Sequence, residues 1–470
     1  MELFDAIVIG AGQAGPALTA RLSEAGLRVA LIERARFGGT CVNNGCTPTK
    51  TLIASAYAAH VARRAGEFGM ELAGPVRADM AKIKARKDAV VEASRAGREA
   101  RKASLTNVRV YQGSAQFVGR RTVQIGETTL RAERVFLDVG GRPSVPNMPG
   151  VRSTPYLTSE SIMDLDVVPE RLIVVGGSYV GLEFGQMFRR FGSRVTIVEM
   201  GPRLIGREDP DVSAAVREIL EAEDIEVRAD AKCMALELAD SGVRVRVDCA
   251  EGAPSVVGTH LLLAVGRMPN TDGLGLAAAG VDVDARGYIV VDERLQTSAE
   301  GVFALGDCNG RGAFTHTAWN DHEIVADNLL AGADRKVTDR VPIYALFTDP
   351  PLGRVGLSES EALRAGGEVL VGRRAMTQVA RAVERGETQG FMKVVVDAKS
   401  RRILGAAVLG VGGDEAVQTL VDAIYARLPY DQVRGGVRIH PTVAELIPTV
   451  LGELASRTRS SATAQEPHSV

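Results

Sequence analysis

Short apolar runs, each closed by glycine or an acid, recur along this 470-residue chain and set its plan. DAIVIG (5–10), RVALIE (28–33), RLIVVGG (171–177), RVTIVE (194–199) and HLLLAVG (260–266) are continuous apolar stretches of strand length. Such runs predict buried strands of parallel sheets, covered on both faces. Between them lie stretches with helical periodicity, so the first two thirds read as strand–helix–strand units. Residues 51–105 predict two helices. The second, DMAKIKARKDAVVEASRAGREARKA, is strongly charged and predicts a solvated face. Residues 108–140 alternate as short strands. From 341 the pattern changes: GFMKVVVDAKSRRILGAAVLG and its neighbours predict an antiparallel sheet with helices. RTRSSATAQEPHSV at the end predicts a disordered tail.

Two of the strand–helix joints carry a phosphate-binding signature. Gly10, Gly12 and Gly15 form GxGxxG after the first strand, and Glu33 closes the second strand. In that frame one glycine makes the tight turn and the next admits a pyrophosphate to the backbone. The helix N-terminus faces its charge, and the acid binds ribose hydroxyls. The second frame is Gly176-x-Ser178-x-x-Gly181 with Glu199, where serine replaces the middle glycine. Glu199 favours a free ribose 2′-hydroxyl over a 2′-phosphate and so favours NADH. Arg203 and Arg207 follow closely and keep NADPH open.

GGTCVNNGCTPTK (38–50) holds Cys41 and Cys46. Two sulfurs bridge only when their Cα atoms lie within about 7 Å. Five extended residues exceed that reach, whereas one helical turn restores it. Pro48 suits the first turn of a helix, which places Cys46 at that helix's N-terminus, where a thiolate is favoured. Gly38, Gly39 and Gly45 allow close backbone approach to a flat cofactor. Taken alone, the two cysteines could equally be unrelated core residues.

With the fingerprint before it, GGTCVNNGCTPTK resembles the redox-active disulfide motif of the pyridine nucleotide-disulfide oxidoreductases, and the resemblance covers nearly the whole chain. It implies an α/β fold with two Rossmann-like dinucleotide-binding domains and a C-terminal α+β dimerisation domain. Residues 1–145 and 271–340 would bind FAD, 146–270 NAD(P), and 341–456 would form the dimer interface, with 457–470 as the tail. It assigns Gly10, Gly12, Gly15, Glu33, Gly39, Thr40, Lys50, Gly141 and Asp307 to FAD. Gly176, Ser178, Gly181, Glu199 and Gly266 go to NAD(P). FLDVGGRPSVP stands where the family shows an ATG-type turn, with Asp138, Val139, Gly140 and Gly141 at that place. Lys50 and Glu183 match a family pair beside the flavin. His440 and Glu445, in HPTVAEL, match the proton-handling histidine and its carboxylate, which act across a homodimer interface.

The implied activity is transfer of electrons from NAD(P)H through FAD to a Cys41–Cys46 disulfide and on to a small-molecule disulfide. An NAD(P)H-dependent reductase of Hg(II), Cu(II) or a quinone, of the mercuric reductase-like branch, is the alternative; a dihydrolipoamide dehydrogenase is the second. A non-catalytic flavoprotein subunit is a further reading, opposed by the intact cysteine pair. Mercury ranks low because no cysteine follows Cys308 and His440 is present. Arg438-Ile439-His440-Pro441 departs from the His-x-His-Pro of dihydrolipoamide dehydrogenases, and Asn44 and Thr47 replace the apolar residues of better-known members.

Composition narrows the rest. The formal charge of −2 and 4% aromatics give no case for nucleic acid or an anionic membrane. No apolar run reaches the ~20 residues of a spanning helix. Five cysteines make no disulfide framework. A first strand beginning at residue 5 leaves no room for a signal peptide, and the expectation is cytoplasmic. No metal site is expected. Cys308 reads as a packed small residue, and His316 lies near the flavin without an assignable role.

Overall fold

A computed structural model describes residues 1–102, 105–248 and 254–458. The first apolar run forms strand β1 (Glu2–Ile9), leading to helix α1 (Gly15–Glu24) and strand β2 (Val29–Glu33). Two helices follow at the cysteine motif, α2 (Gly39–Asn43) and α3 (Cys46–Arg63), and then the charged helix α4 (Met80–Lys102). Strands β3 (Val108–Gln112), β4 (Ala115–Gly119), β5 (Thr122–Ile125) and β6 (Thr128–Leu137) complete the sheet. Its order is β3-β2-β1-β6-β5-β4, and Val302–Ala304 also pairs with β6. The β3, β2, β1 and β6 ladders are parallel, and so is the pairing of Val302–Ala304. Residues from both ends of this stretch of chain thus share one sheet and one core, including Ile7, Val8, Leu137, Val302 and Leu305.

The second unit repeats the plan. Arg171–Val175, Arg194–Val198, Glu226–Arg228 and His260–Leu263 form a parallel four-stranded sheet. Helix α5 (Tyr179–Phe191) follows its first strand. A three-stranded antiparallel sheet, Lys232–Ala239, Gly242–Asp248 and Ser255–Gly258, lies beside it. The chain enters and leaves this unit through one antiparallel ribbon, Gly141–Pro143 against Arg267–Pro269. The ribbon lies within FLDVGGRPSVP, where the ATG-type turn was expected, and GRMPN (266–270).

The last third is a six-stranded antiparallel sheet: Ile343–Leu346, Leu352–Gly356, Ile403–Leu409, Phe391–Asp397, Val369–Ala375 and Ala455–Arg457. Arg457 pairs with Val369, so regular structure runs past the point where the tail was expected to begin. Residues 459–470 lie outside the described residues.

These parts are not packed as separate beads. One buried cluster joins Leu52, Ala56 and Met80 of α3 and α4 to Leu182, Phe184 and Phe188 of α5, and to Leu346, Leu352 and Phe391 of the last sheet. The charged helix keeps most of its charges on an exposed face, as expected, but two of them turn inward. Lys87 is buried; its Nζ donates to Met163 O at 3.1 Å and pairs with Asp164 and Asp88. Arg95 donates to Asn43 Oδ1 at 3.0 Å, tying α4 to the cysteine segment. No helix among the described residues is long and apolar enough to cross a membrane.

Candidate functional site: two glycine turns and a cysteine pair

Both glycine frames fold into the same device. A Cβ on Gly10 would lie 2.1 Å from the Asp138 carbonyl oxygen, and one on Gly176 would lie 2.3 Å from that of Ala264. Both positions have positive φ, so the turns need glycine twice over. Gly15 and Gly181 sit in α1 and α5, where a Cβ would strike the carbonyl oxygens of Gly10 and Gly176. Each strand-end acid is gripped by two amides. Glu33 accepts from Ala11 at 2.8 Å and Ala35 at 2.7 Å; Glu199 accepts from Gly177 and Gly201, both at 2.6 Å. Ser178 is exposed just before α5 and its side chain makes no cap bond. Arg203 and Arg207 are exposed on the loop after Glu199.

The cysteine segment lies against the first turn. Gly39, with φ +58°, would bring a Cβ to 2.8 Å from Gly12 Cα, so the two loops touch backbone to backbone. Gly45 likewise lies against Thr40 O. The glycines of the motif therefore bring the chain close to itself. Cys41 is on α2, and Cys46 opens α3, as the spacing predicts. Both are free thiols, and the Cys46 sulfur is hydrogen-bonded to the Cys41 thiol. That bond is the main cause of a Cys46 pKa lowered from 9.0 to about 6. Burial of its flanks opposes the lowering; the Thr315 hydroxyl, Lys50 and the helix end assist it. The helix N-terminus, expected to favour the thiolate, does so, but it ranks behind the neighbouring thiol.

Lys50 Nζ meets Glu183 Oε2 at 2.5 Å, joining the cysteine helix to α5. The other Glu183 oxygen accepts from Phe347 N at 3.0 Å, and the Phe347 ring lies 4.5 Å from Lys50 Nζ. The carboxylate thus holds the lysine and a strand end of the last sheet together. Asp307 faces Arg267 at 3.8 Å, while burial raises its pKa against that attraction. Arg267 also donates to Gly141 O, next to Thr40. Gly266 carries φ +118° at the return of the ribbon, with open space beside it.

His440 stands apart on an exposed segment, its Nδ1 2.9 Å from Glu445 Oε2. Val437 and Ile439 next to it are 96% and 80% exposed, an apolar edge suited to contact with another chain. Cys308 is fully buried and donates to Leu305 O, as a packed small residue should. His316 stacks on Phe314 at 5.3 Å, and its Nε2 lies 2.8 Å from Ile343 O.

Sequence reasoning missed Thr315, whose hydroxyl is 3.2 Å from Cys46 Sγ. Its only sequence signal is a hydroxyl residue opening the helix (Thr315–Ala331) that follows Asp307. Phe347 and Arg267 were also missed as partners of the site; nothing local to them marks the contact.

The comparisons follow this geometry. Residues 4–321 match the pyridine nucleotide-disulphide oxidoreductase family, and 343–451 match its dimerisation domain. A probable pyridine nucleotide-disulfide oxidoreductase, RclA of Escherichia coli (strain K12), is 35% identical over 95% of this chain and 98% of its own length. A dihydrolipoyl dehydrogenase of Thermus scotoductus is 35% identical over 95% and 96%. A mercuric reductase of Streptomyces lividans is 33% identical over 97% and 96%. Among solved structures, the Cu(II) complex of HOCl-induced flavoprotein disulfide reductase RclA from Escherichia coli has a TM-score of 0.87. It shares 33% identity over 96% of this chain and 99% of that one. Matches over both parts of the chain, together with two glycine turns flanking one cysteine pair, place it as a flavoprotein disulfide oxidoreductase: the chain belongs to the pyridine nucleotide-disulphide oxidoreductase family.

Proposed function

We propose that the chain reduces a small-molecule disulfide with electrons from NAD(P)H, using Cys41 and Cys46 as the reacting pair. The observation that carries this is the hydrogen-bonded thiol pair between the first glycine turn and the Lys50–Glu183 bridge.

The chain fits FAD. A Cβ on Gly10, Gly12 or Gly15 would collide with the turn's own neighbours, so the turn is bare backbone where a pyrophosphate would approach. Glu33 suits the ribose, and Asp307 and Lys50 suit the ribityl and ring ends. FAD, when bound, supplies two-electron exchange between the nicotinamide and the dithiol.

Cys41 gives its proton to His440 and attacks one sulfur of the substrate, forming a mixed disulfide and releasing a thiolate. His440, oriented by Glu445, gives that thiolate a proton. Cys46 then attacks the Cys41 sulfur, releasing a second thiolate that takes its proton from solvent and closing the Cys41–Cys46 disulfide. Cys46 suits this resolving step because it is a thiolate above about pH 6. Balanced, one NAD(P)H and one proton convert one disulfide to two thiols. His440 comes from the second subunit of a homodimer, supported by the matched dimerisation domain and the exposed apolar residues beside it.

NADH is the favoured donor, because Glu199 leaves a carboxylate where a 2′-phosphate would sit. A second reading has its own support: a thiophilic metal ion as acceptor. Cys46 is an exposed thiolate, and a related structure is described as a Cu(II) complex.

The test is anaerobic turnover with NADH and NADPH against a panel of small disulfides, with Cu(II), Hg(II) and a quinone in parallel. Thiol production from one disulfide, abolished in Cys41→Ser and Cys46→Ser while flavin stays bound, is expected. Turnover only with metal or quinone would replace the disulfide reading by the second one. Full disulfide turnover in either serine variant would remove the dithiol from the mechanism.

A further inference from the structure

Asp138 is a buried carboxyl group placed between the two loops that would hold FAD, and nothing in the mechanism above uses it. It follows β6 and donates its amide to Ile9 O, which sets it beside Gly10 at the end of the central strands. Its Oδ2 accepts from Gly15 N, the first amide of α1, at 2.7 Å. A Cβ on Gly12 would lie 2.9 Å from the same oxygen, and one on Gly306 would lie 3.2 Å from Oδ1. The carboxyl therefore fills the space behind the pyrophosphate turn and reaches the turn that presents Asp307. Its side chain is buried.

Its surroundings are acidic. Asp307, Asp321 and Glu33 face it, and the Cys308 thiol lies close enough to be pushed up by it. Arg267 answers Asp307, and Arg340 answers Asp321, so those cations are already engaged. Glu33 is held by the Ala11 and Ala35 amides. The Gly15 amide is the favourable partner of Asp138, and burial together with the three carboxyls raises its pKa well above the ordinary range. A dinucleotide adds two negative phosphates to the same helix end.

We propose that Asp138 is a proton-carrying part of the FAD seat: it keeps its proton to higher pH in the FAD-bound protein than in the free protein. The proton comes from solvent and returns to it. In the bound state Asp138 lets α1 direct its amides at the phosphates without a competing charge behind them. The inference rests on FAD being the occupant of this turn, as proposed above.

Linkage gives the sign. A proton bound with FAD makes affinity fall as pH rises, by up to about tenfold per pH unit above the point where free protein loses that proton. The experiment is serial dilution of purified full-length holoenzyme across neutral and alkaline pH, reading released FAD by its fluorescence. Wild type is expected to release FAD more readily as pH rises, and Asp138→Asn is expected to show a flat curve. Asp138→Ser serves as a second variant with the same expectation. A flat wild-type curve overturns the proposal. So does a slope that survives in Asp138→Asn or Asp138→Ser. If neither variant folds, Asp307→Asn decides: a slope lost there belongs to Asp307 and overturns the proposal, whereas a slope kept supports it. Protein purified without FAD would fail the reading of the occupant, and FAD-bound protein with a flat curve would fail this inference alone.

Discussion

At the residue scale, the Cys46 sulfur decides what the site can do. A neighbouring thiol, a hydroxyl and an ammonium group all favour its charged form, in that order. The order is testable. Titration of the reduced protein's ultraviolet thiolate absorbance should show one thiolate forming near pH 6. Thr315→Val should move that midpoint upward, and Cys41→Ala, which removes the neighbouring donor altogether, should move it further. An equal or larger shift in Thr315→Val would make the hydroxyl, and not the paired thiol, the main donor. The cysteines themselves were legible because their requirements are local: spacing, a helix start and glycines on either side. Thr315, Phe347 and Asp138 were not legible as contacts. Each reaches the site from a different part of the chain, and only the folded sheet brings Thr315 to Cys46 or Asp138 to Gly15.

At the scale of elements, the repeated strand–turn–helix was readable because buried parallel strands and their glycines leave a continuous apolar record. The docking of one element on another left none. Asp209 precedes the helix Pro210–Glu221, yet it accepts from the first amides of a different helix, Glu359–Ala365, at 3.0 and 2.9 Å. Lys393, buried on strand Phe391–Asp397, pairs with Asp209 at 2.8 Å, Asp211 at 2.7 Å and Glu359 at 3.3 Å. Burial alone would raise Asp209, but Lys393 and Ser360 outweigh it and hold it at about 2. A folded pKa below the unfolded value stabilises the fold above the unfolded pKa. That stability is lost as pH falls through about 2. The loss is roughly 2 kcal/mol between about pH 4 and about pH 2. Lys393→Met should cost about 3–5 kcal/mol in urea unfolding at neutral pH, by stranding three carboxylates. It should also abolish the acid-dependent loss. A variant as stable as wild type at neutral pH would show that the cluster is not coupled to the fold. The same blindness applied to α4, whose charges read as solvated while Lys87 and Arg95 reach inward.

For the whole molecule, the proton's source ties the site to assembly. His440 and Glu445 form a complete pair on an exposed edge, away from the cysteine helix in sequence. Their assignment to the partner's site makes a sharp prediction. Co-expressed Cys41→Ser and His440→Ala chains form mixed dimers with one intact site, assembled from the unaltered half of each chain. Such dimers should recover about half the wild-type turnover, although neither variant is active alone. Mixed dimers without activity would place the histidine in its own chain's site. The His440–Glu445 contact was legible through the match of HPTVAEL to the family motif, but the subunit it serves is a property of assembly, which a single chain does not record.

The ribbon at Gly141–Pro143 and Arg267–Pro269 has one more consequence. The chain between its strands leaves and returns at neighbouring points, so covalently the unit between them is a cassette with a single seam. Cutting and pasting that seam would be simple for anyone grafting a different donor preference. The graft would nevertheless have to reproduce the faces of Leu182, Phe184 and Phe188 that pack on Leu52, Ala56 and Phe391. Interchange of parts is easy for the backbone here and hard for the side chains; under the donor assignment proposed above, point changes around Glu199 would alter donor preference more readily than transplanting the whole unit.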